Sequence, residues 1–131
     1  MSGESNLGTL LENMKPDMRE GAFVFLTSSD AFSEAVQKEA VMVFRELEGM
    51  TIIVRQELAR TICEGVQPQW AMITLTVHSD LSAVGFLAAI TERLAKAGIS
   101  VNPVSAFYHD HLFVPWEKRD KAMKVLHSFG K

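Results

Sequence analysis

The hydrophobic period changes twice between residues 70 and 115, and this change constrains the fold more than any other feature of the sequence. Over residues 70–77 an aliphatic side chain occupies every second position, which is the period of a half-buried strand. Apolar side chains then recur over residues 84–95 at the spacing of an amphipathic helix, and Gly98 stands where a left-handed cap would end it. Residues 99–107 alternate again, so the predicted order is strand, helix, strand.

Three further segments complete a βαββα order in the C-terminal half. Residues 108–110 are predicted to form a turn, and residues 111–114 are an apolar run with the length of a short strand. Residues 99–114 are therefore expected to form a hairpin. The segment 117–129 places its apolar side chains on one stripe, which predicts a final amphipathic helix.

The first half of the chain contains segments of the same kinds. The apolar residues within 7–14 have helical spacing, and the proline at position 16 is expected to end this helix. Residues 21–27 are mostly apolar and are predicted to form a strand. Residues 40–54 contain two apolar runs separated by a Glu-Gly pair, which predicts a hairpin with glycine in the turn. Residues 55–63 are predicted to form a short helix.

The two halves resemble each other at one junction. Residues 51–57 and 111–117 each have the pattern of a hairpin's second strand running into a helix, and they lie sixty positions apart. One interpretation is a pair of related units, in which the first has only a short segment where the second has the helix 83–97. The other is chance similarity between short strand-to-helix junctions, and the pattern alone leaves both open.

Composition excludes several classes of function. The 131 residues carry a formal net charge of -3, so no global positive field recruits nucleic acid or an anionic membrane. The single cysteine, Cys63, permits no internal disulfide and fits a reducing compartment. No signal peptide is expected, and no apolar run approaches the ~20 residues of a membrane span. We therefore expect a cytoplasmic protein that binds neither nucleic acid nor membrane.

Several motifs together resemble the ACT domain family. Residues 80–85 form an Asp-x-x-x-x-Gly loop between the predicted strand and helix, and residues 94–101 (LAKAGISV) resemble the family's helix-to-strand signature. Residues 104–114 and 45–54 resemble the hairpins of small stand-alone bacterial proteins with paired ACT units. The loop lacks the Pro-Gly pair common in the family, which leaves the ligand undefined.

The resemblance implies an α+β fold, a ferredoxin-like βαββαβ (ACT-like) sandwich built from two related units. An N-terminal ACT-like unit with a degenerate helix would span residues 1–66, and a C-terminal ACT-like unit would span residues 67–131. The βαββα order after residue 69 is one strand short of that fold, and natural proteins normally cover such an open edge. Strand 21–27 exchanged between the units, or a second chain, is expected to fill this place.

The resemblance also implies a non-enzymatic regulatory protein that binds an amino acid or a related small metabolite, with a possible homodimer. Backbone N–H groups of the loop before the helix would hold the ligand's carboxylate, because a helix N-terminus favours anions. Asp80 or Asp110 would accept the ammonium, while Ser105 and Phe107 would line the pocket. The expected ligand-binding residues are Asp80, Ser82, Ala83, Val84, Gly85, Ser105, Phe107 and Asp110.

Other interpretations of the same residues remain open. Asp80 or Ser82 could simply cap the following helix without touching a ligand. His109 and His111 could share a metal ion with His78 or His127, but exposed turn residues are the favoured interpretation, and neither metal nor cofactor is expected. The same fold could also serve as a ligand-free interaction or dimerisation module. An enzyme is the least favoured class, because no motif for a catalytic nucleophile is present.

Overall fold

The computed structural model describes residues 3, 6–80 and 82–130, which form two compact units. Unit 1 combines Met1–Glu20 with Ala71–Lys131, and unit 2 is Gly21–Trp70. Antiparallel sheets and helices alternate along the chain, so the predicted α+β class with two related units is confirmed. No helix in the described part of the chain is both long enough and apolar enough to cross a bilayer.

The described residues contain five α-helices and seven strands. The helices are α1 (Leu7–Asn13), α2 (Glu34–Glu39), α3 (Gln56–Ile62), α4 (Phe86–Lys96) and α5 (Arg119–His127). The strands are β1 (Pro16–Met18), β2 (Phe23–Ser28), β3 (Met42–Arg45), β4 (Met50–Arg55), β5 (Trp70–Leu75), β6 (Asn102–Ser105) and β7 (Asp110–Pro115). Short 3-10 helices at Trp116–Lys118 and Ser128–Gly130 flank α5.

The sheet of unit 1 is centred on β5, which is predicted by its alternating period. Strand β7 lies on one side of β5 and pairs in turn with β6, while β1 lies antiparallel on the other side. The pairing of β1 continues beyond its ends, because Arg19 N donates to Met72 O and Thr76 N donates to Lys15 O. Strand β1 is the segment that covers this edge, and three residues are too few for the sequence to show a strand period.

Strand β5 is more buried than the half-buried strand that its sequence pattern predicted. The aliphatic positions Ala71, Ile73 and Leu75 enter the core of unit 1, as predicted. Met72 and Thr74, on the opposite face, are only 8% and 3% exposed. On this second face Thr74 Oγ1 lies 2.9 Å from Nδ1 of His111 on β7, one of the contacts that cover it.

The core of unit 1 joins one face of the sheet to three helices. Leu10 and Met14 from the N-terminal segment pack with Ile90 and Leu94 of α4 and with Leu126 of α5. The N-terminal segment therefore contributes both a strand and buried side chains to the unit that contains the C-terminal half of the chain.

Helix α4 ends as predicted but begins later than predicted. Gly98 adopts φ of +76°, and the N–H of Ile99 donates to Leu94 O at 3.0 Å, which is the expected glycine cap. The sequence predicted a start at Ala83, but Gly85 has φ of +90° and the helix starts at Phe86. A left-handed residue cannot lie inside a right-handed helix, so Gly85 determines the start.

Unit 2 is a three-stranded antiparallel sheet with its own core. Strand β4 lies between β3 and β2, and predicted strand 21–27 is β2, paired with β4 along its whole length. Helices α2 and α3 are short, in agreement with the predicted degenerate helix and the predicted helix 55–63. The core contains Val24, Leu26 and Ile52.

The turn between β3 and β4 requires glycine at position 49. Gly49 has φ of +149°, and a Cβ atom there would lie 2.1 Å from the backbone oxygen of Ser28. Gly65 also has positive φ, of +85°, but a Cβ atom would meet nothing within 4 Å. Substitutions at these two glycines therefore distinguish two costs: backbone strain, which applies at both positions, and steric overlap, which applies at Gly49.

We expect Gly49→Ala to destabilise the protein more than Gly65→Ala. Backbone strain alone costs about 1–2 kcal/mol, so this is the loss expected for Gly65→Ala. Overlap with a backbone atom should add about 1–3 kcal/mol for Gly49→Ala. Urea unfolding of both variants, followed by circular dichroism, measures the difference. Equal losses of unfolding free energy would contradict the close approach of Gly49 to Ser28.

Candidate functional site

A recess in unit 1 lies where the loop after β5 meets the β6–β7 hairpin. Its volume is about 160 Å³. Four of the residues predicted from the sequence line it together with three others. The lining residues are Ser79, Asp80, Ala83, Leu87, Ser105, Ala106 and Asp110.

The hairpin register places Asp110 in this recess. Ser105 and Asp110 are the last cross-strand pair of β6 and β7, and the N–H of Ala106 donates to His109 O at 3.0 Å to close the hairpin. The sequence analysis placed Asp110 in the turn, and this was wrong. The turn residues are Phe107 and Tyr108, whose aromatic side chains give no turn signal in the sequence.

The carboxylate of Asp110 is buried and held by two hydroxyl groups. Asp110 is 7% exposed. Ser105 Oγ donates to its Oδ1 at 2.6 Å, and Ser79 Oγ donates to its Oδ2 at 3.2 Å. Each oxygen therefore has one neutral donor, and the side chain is fixed in a single orientation.

No cation accompanies this carboxylate. Among the described residues Asp110 forms no salt bridge with a lysine or an arginine, and its charge acts on the adjacent His111, whose pKa is lowered mainly by burial. A buried charge is costly unless it is paired, and neutral hydroxyl donors offset only part of that cost. A positively charged group in the recess would therefore interact favourably with the carboxylate of Asp110.

Asp80 organises its own loop and does not cap α4. Asp80 Oδ1 accepts hydrogen bonds from the N–H of Ser82, at 2.8 Å, and from Ser82 Oγ. These bonds from Ser82, the side-chain bond most of all, lower the pKa of Asp80, so the carboxylate is ionised at neutral pH. The interpretation of Asp80 or Ser82 as the cap of α4 is wrong, because the N-cap is Gly85 and the helix begins at Phe86, four residues beyond Ser82.

The anion-receptive N–H groups lie slightly further along the chain than predicted. Within the loop, the N–H of Ser82 is bonded to Asp80 Oδ1 and that of Ala83 to Asp80 O. The first intrahelical bond runs from Ala89 N to Gly85 O, and no side chain caps α4. The N–H groups of residues 86–88 therefore lack acceptors within the helix, and Leu87 among them lines the recess.

Four predicted site residues do not line the recess: Ser82, Val84, Gly85 and Phe107. Val84 is 85% exposed, and Phe107 is 55% exposed in the hairpin turn. The ring of Phe107 contacts the rings of Tyr108 and His78, with centroid distances of 5.1 Å and 6.3 Å. Phe107 therefore does not share a strand face with Ser105, because β6 ends at Ser105.

Sequence reasoning missed three lining residues. Ser79 precedes Asp80 directly, and Ala106 follows Ser105, so both could have been included as neighbours of predicted residues. Leu87 was assigned to the apolar stripe of the helix, and its position on the first turn of α4 brings it to the rim of the recess.

The histidines next to Asp110 have structural contacts. His111 Nδ1 lies 2.9 Å from Thr74 Oγ1, and the rings of His109 and His111 are 6.3 Å apart. Burial, with smaller effects of His109 and Arg19, lowers the pKa of His111. Among the residues described, no three His, Cys, Asp or Glu side chains form a group that could hold a metal ion.

Family comparisons match almost the whole chain. One model described as an ACT domain matches residues 2–63, and a second model described as an ACT domain matches residues 65–128. No curated protein matches the chain.

Solved structures share the fold over nearly the full length. A Vibrio cholerae protein of unknown function, described as a possible transport protein, is 39% identical over 95% of this chain and 96% of its own, with a TM-score of 0.85. An Agrobacterium tumefaciens protein is 18% identical over 89% of each chain, with a TM-score of 0.72. The ligand-free regulatory subunit of Thermus thermophilus aspartate kinase is 12% identical over 92% and 99%, with a TM-score of 0.64.

We expect His111 to titrate below the ~6.5 of an unperturbed histidine. As pH falls through ~6.5, the unfolded chain binds this proton while the folded chain does not, so stability falls until the lowered folded pKa is reached. Above ~6.5 both states are neutral and the full stability is present. Histidine ring NMR measures the pKa directly.

The variant His111→Gln should flatten the pH dependence of the melting temperature between neutral and mildly acidic pH. The matched control for the loss of an imidazole is His127→Gln, at an exposed histidine on α5. A His111 pKa at or above ~6.5 would contradict the burial of this ring.

Proposed function

Because the chain belongs to the ACT domain family, we propose that it is a non-enzymatic regulatory protein whose unit 1 recess binds an amino acid or a similar small metabolite. The family matches also support a division of the sequence into ACT-like units at residues 1–66 and 67–131. The regulatory subunit of Thermus thermophilus aspartate kinase has the same fold, which supports a regulatory role.

The observation that carries this proposal is the buried carboxylate of Asp110 without a cationic partner. An ammonium group is small, carries three hydrogen-bond donors and can supply a positive charge next to the Asp110 carboxylate. Asp80, ionised and on the same recess, adds a second negative charge to the site. Ser79 and Ser105 keep Asp110 oriented, so the ligand meets a fixed acceptor and not a mobile one.

The other end of an amino acid fits the start of α4. Its carboxylate would accept hydrogen bonds from N–H groups of the first helical turn, where the helix dipole is positive. Leu87 places this turn at the recess, and the absence of a side-chain cap on the helix leaves its first donors available.

The size of the recess supports a small ligand. Its volume of about 160 Å³ is below the roughly 300–1,000 Å³ of sites that enclose drug-sized ligands. Amino acids and short amines are therefore better candidates than nucleotides.

One observation favours a second candidate function, a ligand-free interaction or dimerisation module. Phe107 and Tyr108 are 55% and 63% exposed at the tip of the β6–β7 hairpin, where they stack on each other and on His78. Exposed aromatic side chains of this kind are enriched at protein–protein interfaces. This function requires oligomerisation but no response to amino acids.

A thermal-shift screen with the twenty amino acids tests the first function. An amino acid at ~100 Kd should stabilise the protein by about 2.7 kcal/mol. Asp110→Asn preserves the size of the side chain and one of its two acceptor oxygens but removes its charge, so it should abolish the shift. Asp17→Asn, which neutralises an exposed carboxylate on β1, is the matched control and should retain it.

An unchanged shift in the Asp110→Asn protein would overturn the placement of the ammonium. If no amino acid stabilises the wild-type protein, and its mass in solution exceeds that of one chain, the interaction module is the better description. Loss of that assembly in a Phe107→Ser and Tyr108→Ser double variant would then identify the hairpin tip as its contact.

A further inference from the structure

The first residue that the structure describes, Gly3, lies against the loop that lines the unit 1 recess. A Cβ atom added there would lie 2.6 Å from His78 O, 2.8 Å from Ser79 C and 2.9 Å from Asp80 N. All three neighbours are backbone atoms, so rotation of a side chain cannot make room for a methyl group. The chain at Gly3 is therefore in direct backbone contact with the start of the recess loop.

Gly8 provides a contrast within the same segment. A Cβ atom at Gly8 would lie 3.5 Å from Asn6 Oδ1, which is an ordinary van der Waals distance. Gly8 belongs to α1 and is exposed, whereas Gly3 is half-buried. The N-terminal segment therefore approaches the recess loop closely at Gly3 and leaves space for a side chain at Gly8.

The same segment also reaches the far end of the recess loop. Leu7 Cδ2 lies 3.6 Å from the position that a Cβ atom of Gly85 would occupy, and Gly85 is the N-cap of α4. Helix α1 is itself fixed, because Leu10 is fully buried in the core of unit 1. We call the described residues Gly3, Asn6 and Leu7 the strap, since this segment contacts the loop at both of its ends.

The strap lies outside the recess. The loop faces the β6–β7 hairpin with its side chains: Ser79 Oγ donates to Asp110 Oδ2, and the rings of His78 and Tyr108 are 5.4 Å apart. Gly3 contacts the backbone of the same loop and is not among the described residues that line the recess. The strap therefore leaves the space in the recess free and acts on the site through the loop.

Bonds within the loop do not determine its distance from the hairpin. The N–H groups of Ser82 and Ala83 both donate to Asp80, which fixes the shape of the turn. The hydrogen bond from Ser79 to Asp110 joins the loop to the hairpin, but at 3.2 Å it is longer than the roughly 2.5–3.0 Å of a typical O–H···O bond. The position of the loop therefore depends on packing, and the strap supplies packing at both ends.

We propose that the strap holds the recess loop in place, so that the unit 1 recess is formed while the strap is seated and loosens when the strap is displaced. Displacement would free Ser79 from Asp110 and move the charged side chain of Asp80. Segments with few buried contacts open at lower free energy than the core, so the strap can open while unit 1 stays folded. The consequence for ligand binding rests on the proposed function, to which the strap adds a means of regulation.

NMR of the full-length, ¹⁵N-labelled protein tests the strap without any ligand. The wild-type protein should show a nuclear Overhauser contact between Gly3 Hα and the amide proton of Asp80. Gly3→Ala should abolish it, because the added methyl group overlaps the loop backbone. The heteronuclear Overhauser effect of the Ser79 and Asp80 amides should then fall, and the Ala83 amide should exchange about tenfold faster or more.

The matched control is Gly8→Ala, which adds the same methyl group to the same segment at an ordinary contact distance and should leave the loop amides unchanged. The amide of Ala106, bonded to His109 O within the hairpin, should keep its exchange rate in both variants. A loop as rigid in Gly3→Ala as in the wild-type protein would overturn the proposal. An equal loss of protection at Ala106 would also overturn it, because the effect would then be a general loss of stability.

A thermal-shift measurement with an equimolar mixture of the twenty amino acids connects the strap to the site. Gly3→Ala should lose most of the shift that the wild-type protein shows, and Gly8→Ala should retain it. A loosened loop with a full shift would overturn the role of the strap at the site. No shift in the wild-type protein would count against the proposed function, while the ligand-free spectra would still support or overturn the strap.

Discussion

The candidate site depends on one constraint, the register of the β6–β7 hairpin. That register opposes Ser105 to Asp110 at the end of the ladder and buries a carboxylate against two hydroxyl groups. Shifting a strand by one residue would turn Asp110 to the other face, which His111 occupies with its bond to Thr74. The same backbone geometry therefore determines both the acid in the recess and the histidine behind it.

Unit 1 is completed by residues that are distant in sequence. Strand β1 pairs with β5, and Leu10 and Met14 fill the core beside α4. Strand β1 thus covers the edge of β5 that a βαββα segment would leave open, and no additional strand after α5 is needed. This arrangement also explains why a compact unit of the structure is discontinuous in the sequence, whereas the family matches are two consecutive segments.

Hydrophobic periodicity predicted most of the fold, because long periodic segments such as β5 and α4 bury one face. The errors have local causes. Strand β1 is too short to show a period, and the start of α4 depends on the left-handed conformation of Gly85, which residues 83–84 do not reveal. For the site, the Asp80 loop was found from its Asp-x-x-x-x-Gly spacing, and Ser105 from the strand face that it was expected to share with Phe107. The burial of Asp110 could not be foreseen. Its neighbours in sequence gave a turn signal, and only the pairing of β6 with β7 places it inside.

Duplication of a fold need not duplicate its chemistry. Both units place a serine–aspartate loop opposite the last pair of a hairpin, yet that pair is Ser105 with Asp110 in one unit and Arg45 with Met50 in the other. Backbone hydrogen bonds maintain the hairpin in both cases, so side chains at the pair can change without loss of the turn. The shared backbone therefore leaves the hairpin pair free to differ: the pair includes a buried carboxylate in unit 1, and it combines an exposed guanidinium with a buried thioether in unit 2.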